Sequence, residues 1–464
     1  MNFSLGNSGQ RWQEFVYRWL ISYGPTALVA TVWVLLAGRL VRLISRYAVN
    51  LFYLDEWDLK RATLFEQNSL WRMFTWQHGW HRLGLGPLIE KTFEPHFHWN
   101  GRVEPYALAA IVAAAAICSL WLKMRLNRSL SIFDIVISAI FFTPAQWETL
   151  YGIPIFSQGP VPFLLIVVYC LAWTCRKRAL RYPLVLLINF VTIYTGFGLF
   201  LGVLTPVLLG LDYWSQAPST RLTRSGFIAA LLIAVASLAS FFPGYVPMAG
   251  VTCFSFQPSS PKSYVVFLAL IEAQFFALRG TDLVPRFAGV TVLVILLISL
   301  TCAVWSLLRN NDTSGSESER TRRLIVTALV ALSIASCLTI AYLRLCVGLE
   351  AAKVSRYAVY VQIGILGLYF HLLSIRQPVK RRLLLSVLLL SVLVAALQVN
   401  RSDMAYCRDG KLRWKSCYLQ IEDIKQCNEI TAFVMYPPPE ERTRLHEKLE
   451  YLKKTRQNLY LDEK

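Results

Sequence analysis

The sequence has few charged residues: they make up only 16% of its 464 positions, against about 25% in typical soluble domains. Acidic residues are the scarcest, with 28 Asp and Glu against 47 Lys and Arg. Hydrophobic residues account for 55% of the chain. This composition excludes an ordinary soluble protein and predicts an all-α polytopic membrane protein.

Several motifs are also missing. No G-x-x-x-x-G-K-[ST] loop occurs, which disfavours a nucleotide as substrate, and no repeat of 20 to 50 residues stands out.

Cys407, Cys417 and Cys427 are spaced by ten, which is not a zinc pattern. If their segment lies outside the cell, two of them are expected to form a disulfide and leave one free. The other seven cysteines lie in or beside apolar segments, where a thiol behaves as a small hydrophobe.

Apolar windows of membrane-spanning length recur along the chain, and a span needs about 20 such residues. The window 183–210 is broken at YTGFG (194–198) and is expected to form two short segments. The marginal window 263–278 is expected to lie at an interface or in a cavity wall. The total is about 11 spans. The windows lie at 24–44, 105–122, 130–143, 159–175, 183–210, 226–243, 287–307, 324–343, 357–374 and 383–399.

The net charge of +19 is distributed in short basic loops rather than in one patch. With about 11 spans, all of these loops fall on the same side, which the positive-inside rule makes cytoplasmic. Topology therefore explains the charge, and no nucleic-acid partner is expected. The loops are 123–128, 176–181, 221–224, 309–323 and 376–382.

Successive spans place the loops alternately inside and outside the cytoplasm. On this basis the chain consists of a membrane domain, 1–400, and a small tail, 401–464, which is expected outside the cytoplasm. The membrane domain contains a long first outer loop, 45–104. Arg39, Arg42 and Arg46 do not fit this topology, because they end the first span on its outer side. Either the helix is offset, or these cations have a role near lipid headgroups.

The first outer loop opens with three carboxylates in LFYLDEWDLK: Asp55, Glu56 and Asp58. A carboxylate at the mouth of an apolar bundle has a tunable pKa and can act as a general base. A solvated helix start is the alternative, because acidic residues stabilise helix N-termini. Nearby histidines and an arginine could orient an acceptor or bind phosphate oxygens; these are His78, His81, Arg82, His96 and His98.

No metal site is predicted, although a divalent ion is not excluded by composition. His96 and His98 are two residues apart without a defined strand, which is a poor metal signal. No other cofactor is expected.

Two further outer segments carry polar groups beside apolar spans. Gln146 and Glu148 lie in QWETLYG, and Lys353, Arg356 and Tyr357 lie in KVSRY. Ionisable groups near membrane depth are more often functional than not, and guanidinium suits a lipid-linked phosphate. The alternative for Lys353 and Arg356 is snorkelling to lipid headgroups.

These features together resemble the GT-C superfamily of membrane glycosyltransferases: an acidic residue after span one, a long first outer loop and about 11 spans. More narrowly, LDEW, WQHGWHRLGLGPLIE, QWETLYG and KVSRY look like a branch of uncharacterised bacterial multi-spanning proteins. In that branch the second element usually reads H-N-E-H-R, whereas this chain has Gly79 and Trp80 in place of Asn and Glu. The resemblance covers about residues 20–400.

The resemblance implies transfer of a sugar from a polyprenyl-phosphate donor to a glycan, lipid or protein acceptor by inverting displacement. Asp55 would be the base and Glu56 would assist it. His81 and Arg82 would hold the acceptor or donor phosphate, and Arg356 would bind the carrier phosphate. The protein would lie among lipids of the bacterial inner membrane, with its site facing the periplasm or exterior. The alternatives are a transporter or flippase for a lipid-linked glycan, and a non-catalytic assembly subunit.

Overall fold

The computed structural model describes residues 7–60, 69–215, 221–247, 260–278, 280–309, 317–437 and 444–462. The regular secondary structure of these residues is helical, apart from a two-stranded antiparallel hairpin, β1 (Gln77–His78) and β2 (His81–Arg82). The all-α expectation is therefore confirmed.

The helices, in chain order, are α1 (Asn7–Tyr47), α2 (Glu56–Lys60), α3 (Leu70–Phe74), α4 (Leu85–Phe93), α5 (Glu104–Asn127), α6 (Ile135–Phe141), α7 (Pro160–Trp173), α8 (Arg178–Ile193), α9 (Leu199–Trp214), α10 (Arg221–Ala239), α11 (Pro261–Gln274), α12 (Leu283–Leu308), α13 (Glu317–Arg344), α14 (Ala358–Leu372), α15 (Pro378–Leu397), α16 (Arg401–Ile421), α17 (Ile424–Thr431) and α18 (Leu445–Thr455). Single turns of 3-10 or π helix connect several of them.

Five helical stretches in the described part of the chain are long and apolar enough to cross a membrane. They are α1, α5, α12, α13 and the stretch of α15 and α16, which starts at Pro378. Shorter apolar helices pack among them, including α7, α9 and α10. Their side chains form one large core, in which α6 and α14 are buried along almost their whole length. The chain is therefore a membrane protein by length and composition of its helices.

The break at 194–198 is confirmed, because α8 ends at Ile193 and α9 begins at Leu199. Gly198 makes this turn feasible: a Cβ there would lie 1.7 Å from the Thr192 carbonyl oxygen. The window 263–278 covers most of α11, whose C-terminal half, 267–274, is buried against α12 and α13.

Arg39 has a structural role that the sequence left open. Its guanidinium donates to the carbonyl oxygen of Leu397 at 2.9 Å and to that of Ala396. These carbonyls end α15, where helical carbonyls have no partner within their own helix. Arg39 therefore caps α15 from α1.

The described parts of 45–104 and 401–462 share one hydrophobic core, which we call the loop–tail core. Trp57 and Trp99 of the loop pack with Trp414 and Leu449 of the tail, all nearly or fully buried. Polar contacts reinforce this packing, because Asn458 accepts a hydrogen bond from the side chain of Asn50 at 2.6 Å and donates to the Trp99 carbonyl at 2.7 Å. The tail and the first outer loop therefore form one packed unit.

The expectation for the tail cysteines is confirmed. Cys417 and Cys427 form a disulfide with 5.7 Å between their Cα atoms, and Cys407 is free and buried. Cys346 differs from the expectation of a buried thiol, since it is disulfide-bonded.

Candidate functional site

Three segments far apart in sequence bring charged side chains together. Asp55 directly precedes α2, Glu148 begins a π-helical turn (Glu148–Gly152), and Arg356 lies in a 3-10 turn (Ser355–Tyr357). The Arg356 guanidinium contacts an Asp55 carboxylate oxygen at 2.7 Å and a Glu148 oxygen at 3.3 Å. Ser355 fixes this arrangement, because its hydroxyl accepts the backbone N–H of Glu148 at 3.0 Å.

Asp58 and His78 extend this group. The His78 Nδ1 lies 3.8 Å from an Asp58 carboxylate oxygen, and the Tyr436 hydroxyl donates to the same oxygen at 2.8 Å. We call Asp55, Asp58, His78, Glu148 and Arg356 the Asp55 cluster. Each of its side chains is partly exposed, between 13% and 30%, so a ligand can reach them.

A cation could bind at one edge of the Asp55 cluster. One ligand atom each from Asp55, Asp58 and His78 lies within 4.8 Å of the others, the one such group among the described residues. Carboxylate and imidazole ligands suit a divalent metal. His96 and His98 are exposed and lie outside this group.

The charge state of the cluster follows from its contacts. Burial alone would raise the pKa of Asp55, but Arg356, with help from His78 and Arg344, outweighs it and holds that pKa below its usual value. Burial opposes the charge on Arg356, but Glu148 and Asp55 raise its pKa further above an already high value. At neutral pH the cluster therefore presents ionised Asp55 paired with Arg356.

The backbone beside Asp55 is strained. Leu54 has φ 49°, a left-handed conformation that costs a branched residue roughly 1–2 kcal/mol. Its N–H donates to the Met435 carbonyl at 3.2 Å, so the tail holds this turn in place. Strained residues of this kind cluster at functional sites.

Two residues near the cluster were missed by the sequence analysis. Arg344 ends α13 with an exposed side chain, close enough to act electrostatically on Asp55, His81 and Tyr357. Tyr436 reaches Asp58 from 378 residues away. Arg344 could have been noted as a basic residue at the end of an outer apolar span, whereas nothing in the sequence marks Tyr436.

Four predicted residues do not join the cluster. Glu56 is 1% exposed, accepts the Tyr53 N–H at 2.9 Å and faces Lys411 at 3.6 Å. The buried Gln146 amide donates to the Phe141 carbonyl at 3.0 Å. Lys353 pairs with Glu350 on its own turn.

Arg82 is the fourth, and here the prediction of phosphate or acceptor binding is corrected. Its guanidinium donates to the carbonyls of Phe241 at 2.7 Å, Pro243 at 2.6 Å and Thr75. The side chain is 3% exposed. These carbonyls use the donors that would bind phosphate, so Arg82 fastens the β1–β2 hairpin to the segment after α10.

Tyr357 and His81 lie beside the cluster rather than in it. Tyr357 is buried, and burial raises the pKa of its hydroxyl. The His81 ring meets the Phe197 ring edge-on at 4.5 Å. Burial, together with His78, lowers the pKa of His81 to about 4, although a hydrogen bond to the Gly196 backbone opposes the shift.

The low pKa of His81 predicts a pH dependence of stability. Between pH 6.5 and about 4 the unfolded chain binds a proton at His81 that the folded chain does not, so the free energy of unfolding decreases as the pH falls through this range. We expect His81→Asn to weaken this decrease, as measured by thermal unfolding in detergent at stepped pH. His96→Asn, at an exposed position, is the control. Equal pH profiles for wild type and His81→Asn would contradict the assignment.

A second charged group lies buried behind α2, and we call it the Lys60 cluster. The Lys60 ammonium lies 3.2 Å from a Glu90 carboxylate oxygen and 3.4 Å from one of Glu104, and all three side chains are 0% exposed. Glu94 is also buried, and burial raises the pKa of its carboxyl. Burial opposes the charge on Lys60, but the surrounding glutamates outweigh it and raise its pKa. These glutamates were not identified from the sequence.

Comparisons with known proteins add no relative: no protein-family model matches this chain, and searches of curated proteins and of solved structures found no match.

Proposed function

We propose that this protein is a GT-C-type membrane glycosyltransferase that takes a sugar from a polyprenyl-phosphate donor. The observation that carries the proposal is the convergence of Asp55, Glu148 and Arg356 from three loops at one end of an apolar helical bundle. A narrow apolar cleft begins one helical turn beyond Arg356, at Tyr360 of α14, and continues between α7, α13, α14 and the turn before α9. A lipid phosphate held at the cluster would have its chain beside this cleft.

The reaction we propose is a single inverting displacement. Asp55 accepts the proton of the acceptor hydroxyl while the hydroxyl oxygen bonds to the anomeric carbon. The bond from that carbon to the phosphate oxygen breaks on the opposite face, and polyprenyl phosphate leaves. Phosphate is a good leaving group, so the site mainly positions the partners and stabilises charge.

The pairing of Asp55 with Arg356 suggests how the donor prepares the base. Arg344 is exposed and makes no ion pair among the described residues, so it is the first cation available to a carrier phosphate. That phosphate would then compete with Asp55 for Arg356. Losing a cation neighbour raises the pKa of a carboxyl, and Asp55 would become a stronger base when donor is bound.

We also propose about 11 membrane crossings in a bacterial inner membrane, with the Asp55 cluster on the periplasmic or outer side. The distribution of basic loops supports this orientation. The Cys417–Cys427 disulfide supports it as well, because it belongs to the tail that packs on the first loop, and disulfides persist in oxidising compartments.

One observation favours a second candidate, a transporter or flippase for a lipid-linked glycan. A carboxylate whose pKa lies below its usual value is a weak base but a good fixed charge for binding cargo. The two proposals differ in whether the donor is consumed.

The test is to incubate purified protein with radiolabelled polyprenyl-phosphate hexoses and membrane glycan extracts, then follow loss of label from the lipid. We expect wild type to consume donor and Arg344→Gln to show a KM for donor about 3- to 10-fold higher with a smaller change in kcat, as for lost ground-state binding. Arg413→Gln, at an exposed position of α16, is the control. Binding without consumption across all donors and acceptors would favour the transporter instead.

A further inference from the structure

A second charged cavity lies at the end of the bundle opposite to the Asp55 cluster. α13 begins at Glu317, in the wall of this cavity, and ends at Arg344, beside the cluster. Its 28 residues separate the two places by about 42 Å at 1.5 Å per residue. α5 gives the same result, because Glu104 belongs to the Lys60 cluster and Arg125 lines the cavity. The cavity is therefore distinct from the proposed glycosyltransferase site.

The cavity has two connected lobes that share Arg125, Arg128, Thr174 and Arg176. Their volumes are about 480 and 560 Å³, within the range of about 300–1,000 Å³ that is usual for small-molecule sites. The ends of α5 and α7 and the starts of α8 and α13 form its walls.

Positive charge dominates the cavity. Its basic lining residues are Arg125, Arg128, Arg176, Lys177 and Arg322. The acidic lining residue is Glu317, whose carboxylate already accepts a hydrogen bond from Arg181 at 2.8 Å. Arg128, Arg176 and Lys177 have exposed side chains and no carboxylate partner within the described ranges.

Arg322 adds a buried donor to this lining. It is 8% exposed, and one terminal nitrogen donates to Glu319 at 2.6 Å. Its Nε is buried and has no hydrogen-bond partner in the described part of the chain. A buried donor without an acceptor destabilises the folded state, so a small rotation of this guanidinium towards an anion in the cavity would be favourable.

We propose that this cavity binds a phosphate-bearing anion at the face opposite to the Asp55 cluster. Guanidinium groups bind phosphate oxygens with two parallel hydrogen bonds, and Thr174 and Thr321 add hydroxyls to the lining. The positive-inside rule explains basic residues in these loops, but it does not require them to enclose a cavity of ligand size. The phosphate belongs either to an anionic lipid headgroup or to a soluble phosphate ester.

The test uses the full chain purified in a neutral detergent, with phosphatidylglycerol or inorganic pyrophosphate as probe and native mass spectrometry or calorimetry as readout. The test variant is Arg125→Gln/Arg128→Gln/Arg176→Gln. The matched control is Arg376→Gln/Lys380→Gln/Arg382→Gln, which removes the same charge from the same end of the bundle outside the cavity. Size-exclusion profiles establish folding, and the single variant Arg176→Glu replaces the triple variant if that aggregates.

We expect wild type and control to bind with similar affinity and the test variant to bind at least tenfold more weakly. If both pyrophosphate and the lipid follow this pattern, the cavity binds soluble phosphate esters as well as lipid headgroups. If only the lipid follows it, the ligand is a lipid headgroup. Equal weakening in test variant and control would show only bulk charge attraction and would overturn the proposal. Failure of wild type to bind either probe would overturn it too, whatever the outcome for donor consumption.

Discussion

Replacing Asp55 with Asn is expected to lower the rate of sugar transfer by about 10²- to 10⁴-fold, the usual contribution of a positioned general base. Asn keeps the size of the side chain but cannot accept the hydroxyl proton. Glu148 still contacts Arg356 at 3.3 Å in the wild-type geometry, so the guanidinium keeps one carboxylate partner. The loss should therefore fall on kcat more than on the KM for donor.

The measurement is single-turnover loss of label from the polyprenyl-phosphate donor, with donor binding measured in parallel. Asp409→Asn is the control, since Asp409 is an exposed carboxylate of α16 with a 51% exposed side chain. An Asp55→Asn protein that turns over at the wild-type rate would rule out Asp55 as the base. Its folding is checked by the thermal unfolding midpoint before the rates are compared.

Replacing Lys60 with Met is expected to destabilise the protein by about 3–5 kcal/mol, the cost of leaving buried charge without its partner. Lys60 lies 3.2 Å from Glu90 and 3.4 Å from Glu104, and no solvent reaches any of the three side chains. Burial raises the pKa of the Glu94 carboxyl and Lys60 opposes that shift, so without the ammonium Glu94 holds its proton to a higher pH in the folded chain. The folded chain then binds more protons than the unfolded chain above about pH 4.5, so the variant should lose further stability as the pH rises.

Thermal unfolding in detergent at pH 5 and pH 8 measures this effect, with a larger deficit expected at pH 8. Lys91→Met, at the exposed neighbour of Glu90, is the control and should change little. The double variant Lys60→Met/Glu104→Gln should recover part of the loss, because it removes one of the unpaired carboxylates. A Lys60→Met protein as stable as wild type at both pH values would show that the Lys60 cluster does not support the fold.

The all-helical membrane fold was predicted from the sequence, because long apolar windows are typical of helices that cross a lipid bilayer. The sequence located the break between α8 and α9 for a local reason, the YTGFG turn. It also identified Asp55, Glu148 and Arg356, since ionisable groups stand out beside apolar segments.

The sequence could not reveal how these residues pair. Whether Arg356 contacts Asp55 depends on how three loops are carried by packed helices, 301 residues apart in the chain. Arg82 shows the same limit with the opposite result. Its type and position suggested phosphate binding, but backbone carbonyls some 160 residues away take its donors. The Lys60 cluster was missed because buried glutamates in a loop look solvated when only their sequence is known.

The joining of loop and tail has a consequence for how the protein is made. Trp57 receives its hydrogen bond from Lys448, and Asp58 its bond from Tyr436, 391 and 378 residues later in the chain. A ribosome adding roughly 5–20 residues per second needs roughly 20–80 s to cover that interval. During this time the first loop has already emerged with its tryptophans uncovered and Glu56 without Lys411. Newly made chains should therefore depend on chaperones or be exposed to proteases on that side of the membrane until the tail arrives.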